Sequence, residues 1–525
     1  MLLGTLNKPI GVTGSHAVFD IRLCSSFRFP AESILLVCLR LIKYLRARGL
    51  LIEAMVNRGK PSSDCLPCRK RKLRCDLDNK GCSQCQRAKL LCHGYRDPNQ
   101  LTIRDETYST KQKALARKTL ANPVNPTALQ LGWDVRARQA FFSEYIFGFS
   151  RSYDVLAALY KRASSLGHLS ASVDAVSLAF LSSQSNTVSL RHLANERYVV
   201  ALQRVGYALR MPDFSATDET LQSVLLLDLY EKMVNRDHQS SMAWTAHVLG
   251  AVSLVKSYRN RIMTSYTCRQ LATRLVVTLT ISCGAARMRV PNTLIALRED
   301  LSSHIDNAKW DFTGLVVHVV NLQADLHNCR FTCSSEVAER AKGIDDRFAE
   351  LERTLPPSWI PRRIFLPGNP LLFGHYYDIY LGHFVTQVRN AIRTVRMMLN
   401  DMVLKHSPGD VSVPRYDAAI AISEIAGQIC AAIPQFILPG VQPDNQVPFS
   451  PLQKLQCYTL IAPLYIAGQL STDHGLRDWV IHSLEYMAEV GVMKTAKDVA
   501  DILRATPDMD YWIIYSMLGS YALAA

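Results

Sequence analysis

Hydrophobic residues are unevenly patterned along this chain, and the pattern divides it. From residue 129 to 525 apolar positions recur at helical spacing, and the strict alternation of a half-buried strand is scarce. Residues 220–234, TLQSVLLLDLYEKMV, are apolar around most of a helix circumference, which predicts a buried helix; Ser215 and Asp218 precede it at capping-box-like spacing. Further helices are predicted over 241–258, 344–355 (stopped by Pro356 and Pro357), 378–402, 418–433, 479–490 and 511–523. Residues 275–282, LVVTLTIS, are the best strand candidate, although a helix accommodates them too. The predicted fold class is mostly α, a large all-α domain over 129–525 behind a small N-terminal module.

The rest of the chain lacks this pattern. Residues 55–96 are basic and cysteine-rich, and 97–128 are polar and end in ANPVNPT, where two closely spaced prolines mark a linker. Residues 1–54 read as an N-terminal extension, either disordered or an artefact of start-codon choice, since Met55 directly precedes VNRGKPSSDC. The seven Lys or Arg and two acids of residues 1–50 also fit a mitochondrial presequence. The apolar run 34–39 is far shorter than the roughly 20 residues of a spanning helix, so no membrane is expected as a partner.

Composition sharpens the division. The chain has 525 residues and a net charge of +15, a surplus that points to a polyanionic partner. Between Arg58 and Arg96 stand eleven Lys or Arg against three Asp or Glu, so a net of +8 sits in 39 residues. Six of the 14 cysteines fall between Cys65 and Cys92. The other eight (Cys24, Cys38, Cys268, Cys283, Cys329, Cys333, Cys430 and Cys457) are scattered among apolar neighbours, and core filling is the expectation for most of them.

The six clustered cysteines repeat one unit, C-x2-C-x6-C, as Cys65, Cys68, Cys75 and then Cys82, Cys85, Cys92. Zinc takes four ligands in a tetrahedron. Two separate sites would need eight, and six suffice only if two thiolates each serve both ions; Cys65 and Cys82, which open the two halves, are the candidates. His93 is read as a non-ligand. Six thiolates and two Zn²⁺ ions sum to −2, so the module from Arg58 to Arg96 stays at +6 after metal loading.

CLPCRKRKLRC…GCSQCQRAKLLCHGY resembles the fungal binuclear zinc cluster, the Zn₂Cys₆ DNA-binding domain. The resemblance implies that Cys65, Cys68, Cys75 and Cys82 hold one zinc, and Cys65, Cys82, Cys85 and Cys92 the other. Many members carry a proline two residues before the fourth cysteine; here Lys80 stands there, and Gly81 is left to supply the turn. A short helix is expected over 69–74. In the family its C-terminal end enters the major groove of double-stranded DNA and reads a CGG triplet. The matching residues are Arg71 and Lys72, with Lys72 as the main base reader. Arg69, Arg74, Arg87 and Lys89 are expected on phosphates, the alternative being a solvated basic face. Arg58 and Lys60 could add phosphate contacts or direct nuclear import. Leu101, Tyr108 and Leu115 give one apolar position per heptad across a potentially helical 100–121, too little for a stable seam, so a homodimer stays one of two options.

The large C-terminal zone resembles the fungal-specific transcription-factor regulatory domain in TLQSVLLLDLYE, WTAHVLGAVSLV, LPPSW and YYDIYLGHF. The resemblance implies a helical domain that controls the DNA-binding module through a small-molecule effector or a coregulator. No G-x-S-x-G, H-E-x-x-H, phosphate loop or G-x-G-x-x-G occurs, and no enzymatic activity is expected. His375 and His383, eight apart with Asp378 between them on an expected helix, read as satisfied, partly buried side chains. The function that emerges is a nuclear, sequence-specific regulator of RNA polymerase II genes; the alternative is a zinc-dependent protein-interaction scaffold without DNA specificity.

Overall fold

The computed structural model describes residues 63–95, 132–185, 187–211, 217–234, 265–331, 333–409 and 413–505, with positions 514 and 518. These residues fall in two compact units, the cysteine module and a helical domain beginning at Gly132. The predicted helices at 241–258 and 100–121, nearly all of that at 511–523, and the extension 1–54 lie outside the described residues.

The module holds two short helices, α1 (Leu66–Arg71) and α2 (Ser83–Arg87). The helical domain opens with α3 (Trp133–Ala140), which runs without a break into a π-helical stretch, Phe141–Phe149. There Phe141, Tyr145 and Phe149 are buried on one stripe. Next come α4 (Leu156–Arg162), α5 (His168–Ser185), α6 (Val188–Ala208) and α7 (Asp218–Val234). The short connection between α5 and α6 makes an αα-hairpin, on which α7 packs. The expected helix over 220–234 is present with two further residues at its start, and the Thr217 hydroxyl accepts from the Thr220 N–H at 3.2 Å. Ser215 lies outside the described residues.

The strand candidate 275–282 is helical, within α8 (Tyr266–Ala285). Its β-branched run buries Leu275, Val276, Leu279 and Cys283 on one helical face, and the Thr280 and Ser282 hydroxyls donate to the carbonyls one turn back, at 2.8 and 3.0 Å. A strand here would need a neighbour, and among the described residues only one strand pair exists. Packing therefore overrides the modest β-preference of these side chains.

α9 (Asn292–Ser302), α10 (Ala308–His327) and α11 (Ser334–Arg353) follow. α11 starts ten residues before the expected 344, because its first turns (SSEVAERAKG) are polar outside Val337, Ala338 and Ala341. The expected helix 378–402 is corrected at its start. Asp378 lies on strand β2 (Tyr376–Ile379), antiparallel to β1 (Arg362–Phe365) with Arg363 opposite Asp378. The Arg363 guanidinium donates to both Asp378 carboxylate oxygens at 2.9 and 3.1 Å. Gly382, at φ +156°, separates the hairpin from α12 (His383–His406). His375 and His383 therefore do not share a helix: His375 is exposed before β2, while the His383 ring sits on the Phe149 carbonyl at 2.9 Å and stacks on the Phe149 ring.

The chain closes with α13 (Val413–Ala432), α14 (Pro434–Ile437), α15 (Pro451–Leu470), α16 (His474–Val490) and α17 (Lys494–Ala505). α15 escapes the sequence reading because Pro463 lies inside it, although Ser450 and Gln453 form a capping box at its start. The stretch Val413–Ile437 is long and apolar enough to cross a membrane by composition, but 67% of its apolar window is buried within the domain, as in a core helix. One core cluster joins α13 to α17 around Ile429, Tyr465 and Leu484, and a second joins α10, α11 and α12 around Phe348, Ile392 and Leu399. Core filling holds for Cys268, Cys283, Cys430 and Cys457; Cys329 and Cys333 depart from it and are exposed.

Candidate metal centre and nucleic-acid interface

Each half of the module is built the same way. Cys65 and Cys82 have extended backbones at the N-caps of α1 and α2, so the helix starts between the first two cysteines of each half. The first turn then brings Cys68 beside Cys65 and Cys85 beside Cys82, since residues three apart share a helical face. The Arg69 N–H donates to the Cys65 carbonyl at 3.0 Å, and the Gln86 N–H to the Cys82 carbonyl at 3.1 Å. A left-handed lysine follows each helix, Lys72 as the C-cap at φ +55° and Lys89 just past the Ala88 C-cap at φ +52°. After it the chain folds back, with Leu73 N–H on the Cys68 carbonyl (3.0 Å) and Leu90 N–H on the Cys85 carbonyl (2.9 Å).

The connection between halves is latched. The Asp76 carboxylate accepts from the Ser83 N–H at 3.1 and 3.2 Å, and bonds from the Ser83 hydroxyl and backbone hold its pKa below the usual range. Gly81 takes φ +101° and donates its N–H to the Asp78 carbonyl at 2.9 Å, so glycine does supply the turn beside Lys80. The Tyr95 hydroxyl donates to the same Asp78 carbonyl at 2.5 Å. Neither the Asp76 latch nor the Tyr95 clasp follows from ligand spacing; an acid directly after a ligand cysteine is the only cue.

Six sulfurs meet at the centre. Cys65, Cys68, Cys75 and Cys82 form one group, and Cys65, Cys82, Cys85 and Cys92 a second, with all Sγ atoms of a group within 4.8 Å of one another. Cys65 and Cys82 belong to both. The Sγ pairs Cys65–Cys82, Cys65–Cys85 and Cys68–Cys82 are each 3.6 Å apart. A disulfide would place them at about 2.05 Å. A zinc tetrahedron with bonds of about 2.3 Å has edges of about 3.8 Å, close to what is seen. Five of the cysteines are buried, and among the described residues the partly buried hydrophobic side chains packed on them are Cys92 and Tyr95. The module thus has sulfur where a larger domain has a hydrocarbon core. Two groups of four that share two thiols fit a binuclear Zn²⁺ cluster.

The thiols are electrically unequal. Burial pushes Cys65 and Cys68 up, and burial with its sulfur neighbours pushes Cys85 up to about 12. Burial opposes the Cys82 thiolate too, but bonds from the Cys85 N–H and from neighbouring thiols outweigh it and bring Cys82 to about 6. Backbone bonds from Cys82 and Gly94 hold Cys92 down. With protons alone the cluster cannot ionise fully; a divalent ion lowers that cost by replacing them.

The helix expected over 69–74 begins three residues earlier and stops at Arg71, so Lys72 caps it rather than continuing it. Arg69, Lys70 and Arg71 fill its last turn, where cations oppose the negative end of the helix dipole. Arg71, Lys72, Arg74, Arg87 and Lys89 are exposed. Arg69 is half-buried, and its Nε is enclosed without a hydrogen-bond partner. His93 is exposed and stands in neither cysteine group.

Residues 64–102 match the fungal Zn(2)-Cys(6) binuclear cluster domain. The match takes in all six cysteines, both left-handed lysines and the Asp76 latch, and ends before the helical domain. No curated protein and no solved structure matches the chain. A domain of this kind implies a fungal transcription factor that binds DNA, is not an enzyme and belongs in the nucleus.

Proposed function

We propose that this protein is a sequence-specific regulator of RNA polymerase II genes that reads CGG-type triplets in the major groove. The observation that carries the reading is a six-residue helix fixed by shared thiol groups, with Arg71 and Lys72 exposed at its C-terminal end. Bound zinc would supply a crosslink that sets the helix direction. Lys72, pointed off the helix by its left-handed backbone, donates to guanine O6 or N7, with Arg71 beside it. Arg69, Arg74, Arg87 and Lys89 hold phosphates and set the register. Residues 55–96 form the DNA-binding unit, 97–128 the linker and 129–525 a regulatory domain that answers to an effector or coregulator.

The test is a mobility shift of the full chain on duplexes with CGG or a scrambled triplet, with and without chelator. Preference for CGG that chelator abolishes supports the reading; equal binding at physiological salt overturns the sequence-specific part. A zinc-dependent interaction scaffold is the second reading, and the exposed Leu73, Leu77, Leu90 and Leu91 favour it. It predicts no triplet preference. Sedimentation of the DNA complex separates a homodimer from a monomer.

A further inference from the structure

A half-open cleft of about 360 Å³ lies between α3, α5 and α6, within the range of about 300–1,000 Å³ that holds small ligands. It is lined mainly by charge. Five of its ten lining residues are Arg or Asp, and the apolar side chains among the rest are Val135, Ala171 and Val200. Three guanidiniums stand against two carboxylates, so the lining carries a net charge of +1.

Two ion pairs brace its walls. Arg138 of α3 donates to Asp174 of α5 at 2.6 Å, and Arg197 of α6 donates to Asp134 of α3 at 3.2 Å. Two groups are left over. The other Asp134 oxygen, Oδ1, is enclosed and has no hydrogen-bond partner. Arg204 is paired with no carboxylate among the described residues; its guanidinium donates to the Gly167 carbonyl at 3.4 Å, longer than an ordinary N–H···O bond. Arg204 stands two turns after Arg197 on α6, about 10 Å along the helix axis. The cleft therefore offers a free acceptor near one end and a weakly engaged cation near the other.

An enclosed acceptor without a donor is costly, and a ligand that supplies the donor relieves that cost. The donor has to be neutral, because an ammonium would meet three guanidiniums. A hydroxyl meets this requirement, and adjacent hydroxyls can donate to carboxylates while accepting from guanidiniums. The guanidinium fork of Arg204 matches a phosphate or a carboxylate. We propose that this cleft binds a polyol carrying one anionic group, a sugar phosphate or a sugar acid, with the anionic group on Arg204 and a hydroxyl donating to Asp134. This deepens, and rests on, the reading of the helical domain as an effector-controlled regulatory domain.

Glucose 6-phosphate, gluconate, glucose and inorganic phosphate are compared by calorimetric titration of the full-length chain. At least one of the two polyol anions should bind about tenfold tighter than both glucose and phosphate, the worth of one charge-assisted hydrogen bond. Arg204→Met should remove the preference over glucose, and Arg204→Lys should keep part of it. Polyol anions that bind no tighter than glucose, or no tighter than phosphate alone, overturn the proposal, as do no binding of any probe and a preference that survives in Arg204→Met. The comparison of the four probes on the unchanged protein stands even if a variant misfolds. CGG binding measured on the same preparation separates the readings: ligand failure with intact DNA preference sinks the cleft alone, and ligand success without DNA preference sinks the DNA reading alone.

Discussion

Lys72 and Lys89 occupy the same place in the two halves of the module. Each is seven residues past the opening cysteine, each is left-handed, and each is followed by a leucine bonded back to the second cysteine of its half. The backbone is repeated, yet the sequence around it is not: Lys72 follows Arg69, Lys70 and Arg71, whereas Lys89 follows Gln86, Arg87 and Ala88. On the proposed reading, the first lysine reads bases and the second holds a phosphate. Lys72→Ala should cost about 1–3 kcal/mol of discrimination for CGG over mutated triplets, with two zinc ions per chain retained. Lys89→Ala should weaken all duplexes alike and reduce the salt slope by about one. Competition binding at several salt concentrations checks both, and an unchanged triplet preference in Lys72→Ala refutes the assignment.

The shared sulfurs give a second, sharper expectation. Cys82 belongs to both four-thiol groups and caps α2, whereas Cys92 belongs to one. Cys82→Ser should therefore lower zinc well below one ion per chain, and Cys92→Ser should leave more metal behind. Elemental analysis of the purified variants measures this. One zinc retained by a normally folded Cys82→Ser module would show that the sulfur does not bridge.

Removing the metal should affect the module and spare the helical domain. The module's buried cluster is cysteine with Tyr95 packed on it, while the helical domain has its own apolar cores. Chelation should abolish DNA binding and leave the main thermal transition of the full chain within a few degrees, because metal binding and folding are linked only in the module. The module's helices hold six and five residues, so far-UV circular dichroism should barely change. A collapse of the main transition on chelation would contradict this independence.

How far the sequence reveals all this depends on whether a signal is discrete or cooperative. The two-ion count is legible because ligand number is an integer, and six cysteines make two sets of four only if two are shared; that the shared pair is Cys65 and Cys82 comes from the sulfur groups themselves. The left-handed Lys72 is not legible: lysine has no preference for that backbone, and the fold-back of Leu73 onto Cys68 imposes it. Helical character is legible from spacing over the described residues from 132 onward, but its boundaries are not. The start of α11 is polar, α15 contains Pro463, and YYDIY reads as the start of α12 until Arg363 pairs with Asp378 and Gly382 breaks the chain direction. The β-branched run of α8 shows the same limit, since only its packing decides between strand and helix.

The seam between α11 and α12 offers a stability test. Glu352 accepts from Arg389 at 3.3 Å and from Arg396 at 3.0 Å, Arg393 lies 3.8 Å away, and Arg396 also reaches Asp345 at 2.9 Å. Removing the carboxylate takes this acceptor from the half-shielded Arg389, while Arg396 keeps Asp345 and Arg393 keeps Gln428, Asn390 and Tyr380. Glu352→Ala should destabilise the domain by about 3 kcal/mol, and Glu352→Gln by less, since the amide oxygen still accepts. Urea unfolding followed by tryptophan fluorescence measures the difference; a loss under about 1 kcal/mol would place the seam with ordinary surface pairs.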